Sequence, residues 1–220
     1  MRDIADDYRI GRVIARPFAG DEQSGFERTP RRKDFSMPPP APTILDRLTK
    51  AGHAVHAVGK ISDLFAGRGV SSAISSSGNQ DGMQKILEAL TALPVGGLLV
   101  GNLIDFDMLY GHRQDAVGFG KALEVFDAWL ADLQEKMHQG DLLLVTADHG
   151  CDPTTTGTDH TREYVPLLAW QPKMTRGVAL GTRDTFADLA ATLAEFSGLE
   201  GSGPGRSFWQ ELNSGKADIS

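Results

Sequence analysis

A chain of 220 residues, 40% of them hydrophobic, is long enough to bury one substantial core. Twenty-nine acidic against 22 basic residues give a net charge of −7, which argues against a nucleic-acid-binding face. The single cysteine, Cys151, excludes an intramolecular disulfide, and no 18-residue apolar run is present to span a membrane. The first residues lack the apolar stretch of a secretory signal, so a reducing, cytoplasmic setting is the expectation.

Residues 11–18 read as a strand on which Arg12, Ile14 and Arg16 share one face. The prolines at 38–40 and 42 cannot continue a helix or a central strand and mark a boundary. Residues 1–36 carry a net charge of +1 and the remainder −8, which sets a short piece (1–37) apart from a main domain (38–220). Beyond the prolines, Thr43 caps a helix through Ile44, Leu45 and Leu48 that stops at Gly52, and residues 53–58 form a strand. Asn79 or Asp81 opens a second helix with Met83, Ile86, Leu87 and Leu90 on its apolar stripe. Residues 96–104 are a nearly continuous apolar run, the signature of a strand covered on both faces. A long helix over 116–138 places Leu123, Phe126, Leu130 and Leu133 at helical spacing. Strands follow at 141–146 and 164–170, then a helix over 185–196 that ends before Gly198. This alternation predicts an α/β fold with a mostly parallel sheet joined by crossovers.

Two of these buried strands end alike, in carboxylates and histidine. One continues Ile104-Asp-Phe-Asp-Met-Leu-Tyr-Gly-His112, the other Val145-Thr-Ala-Asp-His-Gly150. Ligands of open α/β sheets bind beyond the carboxyl ends of the strands, so the two clusters are expected in one crevice. A third cluster, Gly157-Thr-Asp-His-Thr161, lies on the following loop. Carboxylate oxygen mixed with imidazole nitrogen favours Mn, Zn or Fe over Ca or Mg, and the lack of thiolate partners argues against structural zinc. Asp148 and His149 can serve one metal, and two metals about 4 Å apart would clamp a phosphate. A single Asp-His pair on a loop is more often a surface feature than a ligand set; three such clusters at successive strand ends are not.

These stretches resemble the phosphopentomutases of the alkaline phosphatase superfamily along residues 11–196. The resemblance rests on Gly11-Arg-Val-Ile-Ala-Arg-Pro-Phe18, Pro39-Pro-Ala-Pro-Thr43, Gly59-Lys-Ile-Ser-Asp63, Asp105-Phe-Asp107 with Tyr110-Gly-His-Arg113, Thr146-Ala-Asp-His-Gly-Cys-Asp-Pro153 and Gly157-Thr-Asp-His-Thr-Arg-Glu163. It implies a three-layer α/β sandwich, an incomplete alkaline phosphatase-like core, with the remnant of a small α+β cap in residues 1–37. It further implies an isomerase of nucleoside catabolism that interconverts ribose or 2-deoxyribose 1-phosphate and 5-phosphate. Two Mn2+ ions would serve it, with ribose 1,5-bisphosphate or glucose 1,6-bisphosphate as activator.

Carried over by motif, Asp148 and His149 would bind one manganese, and Asp107, His112 and His160 the other. Lys60, Arg12 and Ile14 would contact the sugar phosphate. The family's N-terminal segment, with a further aspartate ligand and the threonine nucleophile, has no counterpart in these residues. A complementing N-terminal segment is therefore an expected partner, and negligible turnover is expected of the chain alone. The stretch Thr29-Pro-Arg-Arg-Lys-Asp34 departs from the family's pattern by losing a histidine and gaining charge. Another phosphomutase or phosphatase of the same superfamily, or a non-catalytic metal-binding remnant, are the competing readings. Asp105, His53, His56, His138 and Cys151 are expected to be structural.

Overall fold

The computed structural model describes residues 2–29, 33–201 and 203–214. A short helix, α1 (Arg2–Asp7), precedes an antiparallel ribbon. Its strands are β1 (Arg12–Ala15), β2 (Phe18–Asp21), β3 (Gly25–Arg28) and β4 (Lys33–Ser36), paired β1 with β4 and β2 with β3. The single strand expected over 11–18 is thus two strands. Pro17 has no N–H to give to a ladder, and the break falls there. Arg12 and Ile14 keep a common face on β1, opposite Ser36 and Asp34 of β4, whereas Arg16 falls in the break. At the ribbon's tip, Asp21 Oδ1 accepts hydrogen bonds from the Gln23 N–H (3.0 Å), the Ser24 N–H (2.7 Å) and the Ser24 hydroxyl (2.8 Å). Arg31 and Arg32 of the basic run lie outside the described residues.

Past the prolines, α2 (Ile44–Lys50) begins as the sequence predicts. The Thr43 N–H and hydroxyl both donate to Asp46 Oδ2, at 2.7 and 3.0 Å. The helix ends at Gly52, whose φ of 90° suits glycine alone. The central sheet is parallel, in the order β6 (Ser72–Ile74), β5 (Val55–Val58), β7 (Leu98–Gly101). Alternate side chains of β5 feed two cores. Val55 packs with Leu45 and Leu48 of α2, and Val58 with Ile86 and Ala89 of α4 (Asn79–Ala92) and Leu133 of α5 (Ala116–Lys136). α6 (Ala187–Phe196) packs beside α2. Helices therefore cover both faces of the sheet, as β-strands of near-continuous apolar sequence require. Each fully buried leucine, such as Leu48, contributes about 1.5–3 kcal/mol.

Three further features differ from what the sequence predicts. The last two strands, β8 (Leu143–Thr146) and β9 (Leu167–Trp170), form a separate antiparallel pair. No crossover helix joins them, since residues 147–166 are loop. β9 begins at Leu167, not at residue 164, because Pro166 cannot donate to the ladder. Leu123 of α5 is 48% exposed, although Leu133 on the same helix is buried.

Beyond α6, the chain closes with α7 (Trp209–Ser214), unmarked in the sequence reading. A clasp holds it. Arg183 Nε lies 3.0 Å from Asp188 Oδ2, Nη1 lies 3.3 Å from Glu211, and the guanidinium stacks over the Phe208 ring at 5.4 Å. Asp188 Oδ1 accepts the Arg206 N–H at 2.9 Å. The Thr192 hydroxyl donates to the Asp188 carbonyl (2.8 Å) and accepts the Phe208 N–H (3.0 Å). Among the described residues, no helix is long and apolar enough to cross a membrane.

Candidate metal centre

The first cluster follows β7 on a π-helix, Phe106–Gly111. The His112 N–H donates to the Asp107 carbonyl at 3.0 Å, a bond five residues back along the chain. In an α-helix, positions five apart point about 140° away from each other. The wider turn brings Asp107 and His112 onto one side, with Asp107 Oδ1 3.2 Å from His112 Nε2. Gly111 is buried here, and a side chain on it would collide with Sγ of Cys151.

The second and third clusters are held together by one short bridge. Beyond β8 the chain passes Asp148 and His149, and Gly150 then pairs with Thr161. The Thr161 N–H donates to the Gly150 carbonyl at 3.2 Å, and the Thr161 hydroxyl accepts the Asp152 N–H at 2.7 Å. A side chain at Gly150 would stand 2.6 Å from the Thr161 carbonyl oxygen, so the bridge requires glycine. Closing this loop lays His160 on His149, rings 3.6 Å apart and 12° from parallel. His112 stacks on the other neighbour, 5.1 Å from His160.

The result is a convergence of donors. Asp107, His149 and His160 each offer a ligand atom, all within 4.8 Å of one another. His160 Nε2 lies 3.1 Å from Asp107 Oδ1. Asp107 Oδ1 is itself buried and accepts no hydrogen bond. The ring nitrogens turned away from the cluster face carbonyls: His149 Nδ1 is 3.0 Å from the Gly150 oxygen, and His112 Nδ1 meets the Thr158 oxygen. A carbonyl accepts only, so Nδ1 carries a proton in both rings, and in the neutral ring Nε2 then turns its lone pair inward. A cation among them, a bound metal or a proton on Nε2, is what lets ring nitrogens stand about 3 Å from a carboxylate oxygen. The donor set therefore fits a divalent metal of the kind that takes carboxylate and imidazole together.

Asp148 occupies the rim, 63% exposed, with Oδ1 3.7 Å from His149 Nε2. Lys60 precedes the short helix α3 (Ile61–Leu64), and its Nζ lies 2.9 Å from Met108 Sδ, beside Asp107 on the π-helix. Gly59, with φ of 83°, permits this approach, since a Cβ there would stand 2.6 Å from the Asn102 carbonyl oxygen. Arg12 and Ile14 reach the neighbourhood only through β4, which packs against α3, and the Arg12 guanidinium lies 3.9 Å from Asp34. The structure thus gathers Asp107, His112, His149 and His160, sets Asp148 and Lys60 at the edge, and leaves Arg12 and Ile14 on the ribbon.

Of the remaining candidates, Asp105 turns to Asn79, and the His138 N–H bonds Asp141 at 2.7 Å. Burial, with the charges of Asp107, Glu163 and Asp152, pushes the Cys151 thiol up, so it stays protonated and packs against Gly111. Gly111, Gly150 and Thr161 stand inside the motifs without a role that their sequence positions disclose; their small size is the signal.

The metalloenzyme superfamily model matches residues 39–201. Among curated relatives, the chain is 57% identical over 200 residues to the phosphopentomutase of Syntrophotalea carbinolica, covering 91% of this chain and 51% of that protein. It is 50% identical over 208 residues to the phosphopentomutase of Allorhizobium ampelinum, covering 94% and 51%. It is 50% identical over 209 residues to that of Caldanaerobacter subterraneus subsp. tengcongensis, covering 95% and 53%. The chain spans about half the length of the curated relatives it matches. Because the matched residues take in the parallel sheet and all three donor clusters, the chain belongs to the metalloenzyme superfamily.

Proposed function

We propose that this chain supplies the metal-binding half of a phosphopentomutase, an isomerase of nucleoside catabolism in the cytoplasm that interconverts ribose or 2-deoxyribose 1-phosphate and 5-phosphate. The observation that carries the reading is the convergence of Asp107, His112, His149 and His160 beside Lys60, in a chain 50–57% identical to proteins named phosphopentomutase. Asp107, His112 and His160 would hold one manganese ion; Asp148, swinging in from the rim, and His149 would hold a second. Manganese supplies Lewis acidity, polarising phosphoryl oxygens and neutralising their charge.

The remaining work falls to side chains. The Carbonyl-held rings of His112 and His149 keep their lone pairs aimed at the site without reorganisation. Lys60, as a cation beside the π-helix, orients the sugar phosphate, while Arg12 holds its distal phosphate and Ile14 its apolar face. The threonine nucleophile and a further aspartate ligand, which the resemblance implies, would lie in the half of the relatives' length that this chain does not span, so turnover would be a property of the whole protein. Ribose 1,5-bisphosphate or glucose 1,6-bisphosphate would act as activator.

The test is Mn-dependent conversion of ribose 1-phosphate to ribose 5-phosphate with ribose 1,5-bisphosphate present. The chain is assayed alone and mixed with the N-terminal half of the Syntrophotalea carbinolica relative. Activity in the mixture only is the expected result. Silence in both, from a folded chain that takes up Mn(II), overturns it in favour of a second reading, a non-catalytic single-ion binder. The grouping of Asp107, His149 and His160 within 4.8 Å favours that second reading, because it assembles one site, not two.

A further inference from the structure

The position of Asp107 depends on a contact outside the donor set. α4 begins with a glycine at its cap, Gly78, which has no side chain to satisfy the first free N–H groups of the helix. Asp105, arriving from the end of β7, does so instead: its Oδ2 accepts the Asn79 N–H at 2.7 Å. The exchange is reciprocal, because the Asn79 side-chain oxygen accepts the Asp105 N–H at 2.8 Å. Gly78 leaves room for it, since a Cβ there would stand 2.9 Å from Asp105 Oδ2.

Asn79 is 8% exposed, and α4 behind it is rooted in the core through Met83, Ile86 and Ala89. Asp105 is the residue from which the π-helix starts, and Asp107 follows two positions later. We infer that Asn79 is a positioning residue for the metal ligand Asp107: it fastens the start of the π-helix to the rigid end of α4 and so fixes where the Asp107 carboxylate stands. The metal readout rests on the ligand assignment proposed above; the mechanical part stands apart from it.

The experiment uses the full 220-residue chain. In Asn79→Ala, the Asp105 N–H loses its acceptor, and Mn(II) affinity measured by calorimetry falls roughly ten- to a hundredfold, the scale set by loss of groups that orient metal ligands. Asp105→Asn, which keeps an oxygen for the Asn79 N–H, retains affinity that Asp105→Ala loses. Thr192→Val, a lesion in the distant clasp, lowers the melting temperature without moving Mn(II) affinity. Amide hydrogen exchange of Asn79→Ala accelerates over residues 106–112 while α4 stays protected. Unchanged Mn(II) affinity in Asn79→Ala overturns the inference. Should the unaltered chain take up no Mn(II), the metal reading fails and exchange alone decides. Acceleration confined to 106–112 upholds the fastening role; uniform acceleration, or none, refutes it.

Discussion

The clasp at the C-terminus and the donor cluster at the strand ends both press charged groups to within about 3 Å, to opposite ends. In the clasp, each contact pairs unlike groups. Asp188, 5% exposed, meets the Arg183 guanidinium and the Arg206 N–H, and Thr192 spends its hydroxyl on a carbonyl and an N–H. In the cluster, Asp107 Oδ1 faces the Nε2 atoms of His112 and His160 and is buried without a hydrogen bond. One region is complete in itself and stabilises the fold. The other leaves a buried carboxylate oxygen without a hydrogen bond, the kind of orphan that a bound cation would satisfy.

That contrast predicts opposite responses to substitution. The largest effect is expected from Arg183→Ala, which strands the buried Asp188 carboxylate; urea melts should show a loss of about 3–5 kcal/mol with Mn(II) affinity unchanged. Asp107→Ala should do the reverse, weakening Mn(II) binding by at least about a hundredfold, on the order of 2.7 kcal/mol, while the metal-free melting temperature holds or rises. A fall in that temperature would break the comparison. Thr192→Val leaves the Phe208 N–H unpaired and should cost about 1–3 kcal/mol in the same melts.

A pH titration sharpens the clasp side. Burial alone would raise the Asp188 carboxyl, but the Arg206 N–H and the Arg183 guanidinium outweigh it and hold the group below its ordinary 3.8. A depressed carboxyl contributes its full stability above 3.8 and loses it as pH falls through the folded value. Asp188→Asn should therefore flatten the stability-versus-pH curve below about pH 4 and leave its slope near neutrality untouched. The smallest effect belongs to the half-exposed pair of Lys85 and Asp81, one helical turn apart on α4; Lys85→Ala should cost below about 0.5 kcal/mol.

The sequence announced the core elements because each carries its own period or cap. Thr43 marks the start of α2, Met83 and Ile86 give α4 its stripe, and the apolar run at 96–104 reads as a buried strand. It anticipated that Asp107, His112, His149 and His160 would meet, yet β8 lies outside the parallel sheet, and the meeting is made by the π-helix and the Gly150–Thr161 bridge. What it did not disclose depends on partners far along the chain. β9 turned antiparallel, since direction is decided by the loop over 147–166 and its Gly150–Thr161 bridge, not by the strand's own residues. α7 escaped notice because Phe208 and Leu212, though four apart, are too few to make a stripe, and the clasp of Arg183 on Glu211 and the Phe208 ring joins residues far along the chain. Leu123 kept its helical spacing yet stayed outside, because spacing gives the face of a helix but not what covers it.

The π-helix makes the donor cluster sensitive to the number of residues as well as to their kind. Asp107 and His112 meet because one residue more than an α-turn allows has been accommodated between them. Excision of a single residue from 108–110, none of which contributes to the donor set, would let the turn relax to α-geometry and bring its two ends to a spacing of four. Insertion of one would push the pair out of phase again. The segment thus admits two settings, a π-turn over five positions or an α-turn over four, and a one-residue insertion, which fits neither, is the change that would part the two side chains.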